Sequence, residues 1–182
     1  MGVELGHFAL IVALLLALAQ AGCGLVGAAV GSSRHMAVAR PAVAGQWVFV
    51  AVAFAVLAWA FQRNDFSVLY VAQNSNSALP AFYRFAAVWG AHEGSLVLWA
   101  LALATWSLAV AAFSRQLPES FAASVLGVLG VMSAGFLLFI LLTSNPFERL
   151  TPAAPDGRDL NPLLQDFALA VHPPILYIGY VG

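Results

Sequence analysis

The sequence predicts an all-α protein: a polytopic integral membrane helical bundle with four complete spans, the start of a fifth, and two long outer loops containing short helices. Three observations carry this. The 182 residues are 62% hydrophobic. Only 8% are charged, against about 25% in an ordinary soluble domain, so lipid must be the solvent for much of the surface. Four stretches reach the roughly 20 apolar residues needed to cross about 30 Å of hydrocarbon.

The expected spans are about 8–30, 43–61, 94–113 and 122–143. Ala17-Leu18-Ala19 resembles a leader cleavage site, but the first residues carry Glu4 and no positive charge. The apolar run also continues past a leader's core, so the segment reads as a retained first span. A fifth span starts at Pro174, and the sequence stops at Gly182 after one or two turns. A span cannot end at mid-membrane with its last carbonyls unsatisfied. The expectation is therefore a fragment of a longer protein, or one subunit of a split one.

Small residues recur inside the spans. Ala9, Ala13, Ala17 and Ala21 form a ridge, and Gly27 and Gly31 form a GxxxG pair; both let helices approach closely in lipid. Cys23 is the single cysteine, which excludes an internal disulfide or a cysteine metal cluster built from this chain. It reads as a small core hydrophobe. All seven positive charges are Arg and the net charge is −1, so there is no basic face for nucleic acid.

Segments 31–42 and 114–121 read as short loops, 62–93 and 144–173 as long ones. Arg34, Arg40 and Arg115 crowd the short loops. Arg63, Arg84, Arg149 and Arg158 are spread over about three times the length. Arg density puts the short loops in the cytoplasm and the N-terminus and long loops outside.

In the first outer segment, Asn74 to Ser77 is turn chemistry. Residues 80–90 read as a short amphipathic helix with Phe82, Phe85 and Trp89 on one side. It ends in Trp89-Gly90-Ala91-His92-Glu93-Gly94-Ser95 at the mouth of the third span. Trp89, His92, Leu96, Trp99, Leu103 and Trp106 then recur at steps of three and four, which places them on one helix face. That stripe is either an interface anchor followed by a packing seam or the lining of a site for a flat aromatic ligand. Glu93 either complements the helix dipole or forms with His92 a functional pair at the membrane boundary.

In the second outer segment, Pro146, Pro152, Pro155 and Pro162 stop long helices. Pro155-Asp156-Gly157 is a turn, and Asn161-Pro162 starts a short helix through Asp166 or beyond. His172 precedes Pro173-Pro174, so it is expected at the threshold of the fifth span, outside helical geometry. There the helix dipole favours neutral imidazole, the form that ligates a metal; a capping or interfacial histidine is the alternative. His7 and His35 read as ordinary polar flanks.

Several strings together resemble the CcmF/NrfE-type cytochrome c haem lyases. They are Phe66-Ser67-Val68 with Tyr70-Val71-Ala72, then Trp89 to Ser95. The last is Asp156-Gly157-Arg158-Asp159-Leu160-Asn161-Pro162-Leu163-Leu164-Gln165-Asp166 with His172-Pro173-Pro174. The similarity runs from about residue 4 to the end. One departure is Ala91, where the family more often has glycine.

The resemblance implies that residues 1–182 are the N-terminal transmembrane part of a lyase of the bacterial inner membrane, or of mitochondria that keep the bacterial system. It implies a haem cofactor, b-type before attachment. The haem would come from a periplasmic haem chaperone and be joined through its vinyl groups to the CxxCH thiols of apocytochrome c. A thiol-handling apocytochrome chaperone and the remaining part of the lyase are further implied partners, beside membrane lipid. His172 matches the first of two outer histidines that hold this haem over a Trp-rich segment. The other ligands would lie beyond Gly182. His92, Glu93, Trp89 and Trp99 are further candidates for contact with haem.

Two other classes compete. A transporter or ion-translocating subunit is suggested by Arg84, His92 and Glu93 near a span mouth, but inside the spans the nearest polar groups are the neutral Gln20 and Gln46. The other is a purely structural piece of a split lyase, with all haem chemistry on its partner.

Overall fold

Small side chains decide how the first helix sits. In the computed structural model, which describes residues 2–181, α1 spans Gly2–Val30 and packs against α6, Glu119–Thr143. A Cβ added at Gly24 would lie 2.6 Å from the Ala123 carbonyl oxygen, and one at Gly130 would lie 2.7 Å from the Ala21 amide. The two backbones are therefore in contact, as the alanine ridge leads one to expect. Fully buried Gln20 ties them further by donating its Nε2 to the Leu126 carbonyl at 2.6 Å. Ala9 and Ala13, on the same ridge, join Leu57, Phe61, Leu137 and Ile140 in the buried core.

Of the glycine pair, Gly27 lets the start of the next helix approach closely, as expected, whereas Gly31 serves the turn. A Cβ at Gly27 would meet the Met36 amide at 2.8 Å, and Gly31 sits at φ +67°. Only glycine takes that left-handed angle without strain, and it ends α1. The chain turns at once into α2, Ser33–Gln62. The expected loop 31–42 thus shrinks to Gly31 and Ser32, and Pro41 lies inside α2. A hydropathy threshold misses helical turns that project beyond the hydrocarbon.

The correction gives Arg40 a role. From α2 it donates to the Ala111 carbonyl and to the carbonyl and Oγ of Ser114, both at 3.2 Å. These groups sit at the C-terminal end of α5, His92–Phe113, where carbonyls lack helical partners and a cation is favoured. Trp47 adds a second α2–α5 tie, its Nε1 donating to Thr105 Oγ1 at 3.0 Å.

α1, α2, α5 and α6 are the four helices long and apolar enough to cross a membrane. Among the described residues there is no strand beyond one isolated bridge between Val68 and Arg149. That bridge joins the two long segments: Leu69 donates to the Glu148 carbonyl at 2.9 Å and Leu150 to Ser67 at 2.8 Å. Three short elements occupy the first segment: α3, Leu69–Asn74, α4, Ala81–Ala86, and a 3-10 turn over Ala87–Trp89. α4 and the turn were expected; α3 was not. The second segment crosses over them. Asp156 accepts from the Ser77 amide, Ser77 Oγ and the Gly157 amide at 3.0, 2.7 and 2.8 Å. These bonds hold its carboxyl below the usual aspartate range, the Ser77 hydroxyl first, then the Ser77 and Gly157 amides. Arg149 reaches Glu4 at 2.5 Å and so fixes the start of α1 to the same layer.

The last helix differs from expectation in one important way. α7 spans Phe167–Val181 and carries Pro173 and Pro174 in its interior. It begins seven residues before the expected start at Pro174. Asp166 caps it, Oδ1 accepting from the Leu169 amide at 3.1 Å, the usual reach from N-cap to third residue. Asn161 likewise accepts from Leu163 at 3.1 Å and starts the short helical turn Pro162–Gln165. His172 is therefore inside a helix, past its first turn, and not at a helix threshold.

Candidate functional site

The site grows outward from one buried phenol. Tyr70, on α3, is 3% exposed. Its hydroxyl donates to the Val88 carbonyl at 3.1 Å and accepts from the Ala91 amide at 3.2 Å. Burial pushes its pKa well above the ordinary tyrosine value, so it stays a neutral donor. Around it the segment 89–95 folds tightly. Ala91 is extended, at φ −141°, and N-caps α5. A Cβ at Gly94 would lie 1.7 Å from the Val88 carbonyl oxygen and 2.6 Å from the Tyr70 hydroxyl. No side chain fits there. Ser95 Oγ closes the turn on the Trp89 carbonyl at 2.8 Å.

This turn aims Trp89 at α7. Its Nε1 donates to the Ala170 carbonyl at 2.9 Å, while Phe85 meets its ring edge-on at 5.2 Å. Further along α5, Trp106 Nε1 donates to the Ile178 carbonyl at 3.0 Å. Between them, Trp99 stacks on Tyr180 at 6.1 Å and meets Phe136 edge-on at 4.7 Å. The three indoles thus form the seam along which α7 is held. This is the packing that the seam reading of the stripe expects.

His92 leaves the stripe. It lies within hydrogen-bond distance of Ser144, Nε2 to Oγ 3.0 Å, and meets Phe139 edge-on. Beside it, Asn145 donates to His7 Nδ1 at 3.1 Å. Both histidines therefore secure the C-terminal end of α6, which gives His7 more work than a polar flank. His35 stays local, 2.8 Å from Ser32 Oγ in the α1–α2 turn. Glu93 is half-buried in the first turn of α5, where the dipole favours its charge.

His172 points the other way from the indole seam. Ala170 on the seam is buried, whereas His172 is exposed and forms no hydrogen bond or ion pair among the described residues. The residues one turn on are also open: Ile175 is 66% and Leu176 49% exposed. Gly179, one turn further, has nothing near the position of a Cβ. The α7 outer face is thus apolar and smooth, with one imidazole on it. Among the described residues no three metal-binding side chains converge. An imidazole with open nitrogens beside an apolar face fits one axial position of haem. Trp89 and Trp99 lie on the opposite side of α7, and His92 on α5 is turned toward α6, so these residues do not surround His172.

The fully buried polar side chains within the four long helices are Gln20, Gln46, Ser107 and Ser133. Among the described residues, none of these is ionisable. Sequence reasoning overlooked Tyr70 and Asp166. Asp166 ahead of the run Phe167-Ala168-Leu169 was a legible cap signal. Tyr70 stood in one of the family strings, Tyr70-Val71-Ala72, but nothing in its local sequence marked its hydroxyl as the anchor of the turn before α5.

The chain matches the family model described as cytochrome C assembly protein over residues 89–182. It is 64% identical over 180 residues to the cytochrome c-type biogenesis protein CcmF of Pseudomonas aeruginosa, covering 98% of this chain and 27% of that protein. It is 51% identical over 127 residues to the cytochrome c-type biogenesis protein NrfE of Haemophilus influenzae, covering 70% of this chain and 20% of that one. Among solved structures it is similar to a cytochrome c haem lyase CcmF, with a TM-score of 0.86 and 29% identity, over 100% of this chain and 28% of the other. The chain therefore spans about a quarter of the length of the curated relatives it matches. With the model covering just over half of it and these relatives aligned along it, the chain belongs to the cytochrome c assembly proteins, of the CcmF/NrfE type.

Proposed function

We propose that residues 1–182 are the N-terminal membrane part of a bacterial inner-membrane haem lyase that works in cytochrome c maturation, and that His172 is an axial ligand of its haem. The observation that carries this is the exposed, unpartnered His172 imidazole on the smooth apolar face of α7. Arg density still favours the long segments as periplasmic. Arg34, Arg40 and Arg115 lie at the end of the bundle where α1 meets α2 and α5 meets α6. That orientation puts His172 on the side where apocytochrome c arrives.

If haem is bound there, the chemistry it would supply is that of its vinyl carbons, to which the two CxxCH thiols would add. The chain's own residues have narrower tasks. His172 offers the nitrogen that orients the macrocycle. Ile175 and Leu176 would keep water from one side of it. The indole seam holds α7 at a fixed height against α5, so that orientation is a property of the scaffold. A haem chaperone, apocytochrome c, its thiol-handling chaperone and the rest of the lyase are the partners this reading requires.

The test is His172→Ala in the full-length protein. Cytochrome c yield is expected to fall while the variant remains in the membrane at its normal level. A wild-type yield would remove His172 from the site.

A further inference from the structure

Two consecutive prolines inside a helix leave a gap in its hydrogen-bond ladder. Pro173 and Pro174 have no amide hydrogen, so the carbonyls four residues earlier, at Leu169 and Ala170, lose their helical donors. His172 sits within that weakened turn. In a membrane an unsatisfied carbonyl is costly, and a proline inside a span is tolerated when a neighbouring group takes over the freed acceptor. The Ala170 side of α7 is buried, out of reach of water. The donor found there is Trp89 Nε1, at 2.9 Å.

We propose that Trp89 is the positioning residue for His172: its indole N–H replaces the amide that Pro174 lacks, and so fixes the tilt of the turn that presents the imidazole. The inference rests on the reading of His172 as a haem ligand for its purpose, but not for its geometry. It also accounts for the segment 89–95. Trp89 is itself immobilised, its carbonyl by Ser95 Oγ at 2.8 Å and its ring by Phe85. Val88, just before it, and Ala91, two residues after it, are pinned by the Tyr70 hydroxyl. A continuous path of hydrogen bonds and packed rings runs from α3 through the turn before α5 to the histidine-bearing turn of α7. His172 needs such a path because its own helix supplies two bonds fewer than a regular one.

The test uses a substitution that should repair the damage of another. Trp89→Phe keeps a ring against Phe85 and removes the N–H. Pro174→Ala restores a backbone amide that donates to the Ala170 carbonyl in the ordinary helical way. Hydrogen exchange is measured by mass spectrometry on the full-length protein in nanodiscs, without haem. Amides of residues 169–172, 175 and 176 should exchange about fivefold faster in Trp89→Phe, the opening expected for one hydrogen bond. They should return to within about twofold of wild type in the double variant. Amides in α2 should not change in either.

Unchanged exchange in Trp89→Phe would overturn the proposal. So would a double variant as open as the single one, because loss of ring packing would not be cured by a new amide at 174. With haem bound, the variant's Soret band should shift or broaden and the double variant should recover it. The exchange measurement stands apart from the ligand reading. If His172→Ala leaves the Soret band untouched, the ligand claim falls, while exchange still decides whether Trp89 holds this turn.

Discussion

Gly94→Ala is the sharpest perturbation of the turn that supports the site. The new methyl would be placed 1.7 Å from the Val88 carbonyl oxygen and 2.6 Å from the Tyr70 hydroxyl. Ordinary contact is near 3.4 Å, so the backbone must move by well over 1 Å. Little can yield. Val88 is fully buried, and its carbonyl accepts the Tyr70 proton. Overpacking of a filled core costs about 1–3 kcal/mol, and a clash with backbone belongs at the top of that range. Separating Val88 from Tyr70 adds about 1 kcal/mol for a lost hydrogen bond. The sum, about 4 kcal/mol, lowers the folded-to-unfolded ratio roughly a thousandfold, at 1.4 kcal/mol per factor of ten.

The assay is denaturant unfolding of the detergent-solubilised protein, followed by tryptophan fluorescence. Gly135→Ala is the matched control, since a Cβ at Gly135 has nothing within 4 Å. Helix propensity alone should stabilise that variant by up to about 1 kcal/mol. A Gly94→Ala protein within 1 kcal/mol of wild type would refute the claim that this turn is rigid and full.

Other outcomes follow from the same geometry. Arg40→Ala strips the donors from the Ala111 and Ser114 carbonyls and should destabilise by about 1–3 kcal/mol in the same unfolding assay. Arg40→Lys should recover only part of this, because an ammonium cannot reproduce the guanidinium fork. The bonds of Asp156 give a pH dependence. Its folded carboxyl is held below the ordinary value by Ser77 and then by the local amides. The contribution is therefore complete above the unfolded value of about 3.9 and is lost as pH falls through the lower folded one. Protection of the Ser77 and Gly157 amides against hydrogen exchange should fall across that acid window. Asp156→Asn should abolish the step; a step that persists would mean another group controls the crossing.

Much of the architecture was legible because lipid makes severe demands. Four stretches of about 20 apolar residues can do little except cross a membrane, and the four long helices lie where those stretches do. The boundaries were less legible, for a physical reason. Hydropathy reports where hydrocarbon begins, whereas a helix ends where its hydrogen bonds end. Ser33 to Ala42 is helical outside the expected span, and Arg40 on it caps α5. The start of α7 was misplaced because Pro174 suggested a first helical position, while Asp166 supplied a cap seven residues earlier than Pro173. The prolines could then ride inside the helix, with Trp89 covering an open carbonyl. Periodicity put Trp89, Trp99 and Trp106 on one face, and the structure gives that face its neighbour. It did not foretell that His92 would turn aside to Ser144. The tie between Trp89 and Ala170 joins residues 81 apart in sequence, and no local pattern records such a contact.

The most direct test is the visible absorption spectrum of the haem-loaded full-length protein carrying His172→Gly, recorded with and without added imidazole. If His172 is an axial ligand, the Soret band of the ligated haem is lost or shifted in the variant, and free imidazole, entering the space left by the side chain, restores it. A His172→Gly spectrum identical to wild type, with no response to imidazole, would contradict the assignment of His172 to the haem.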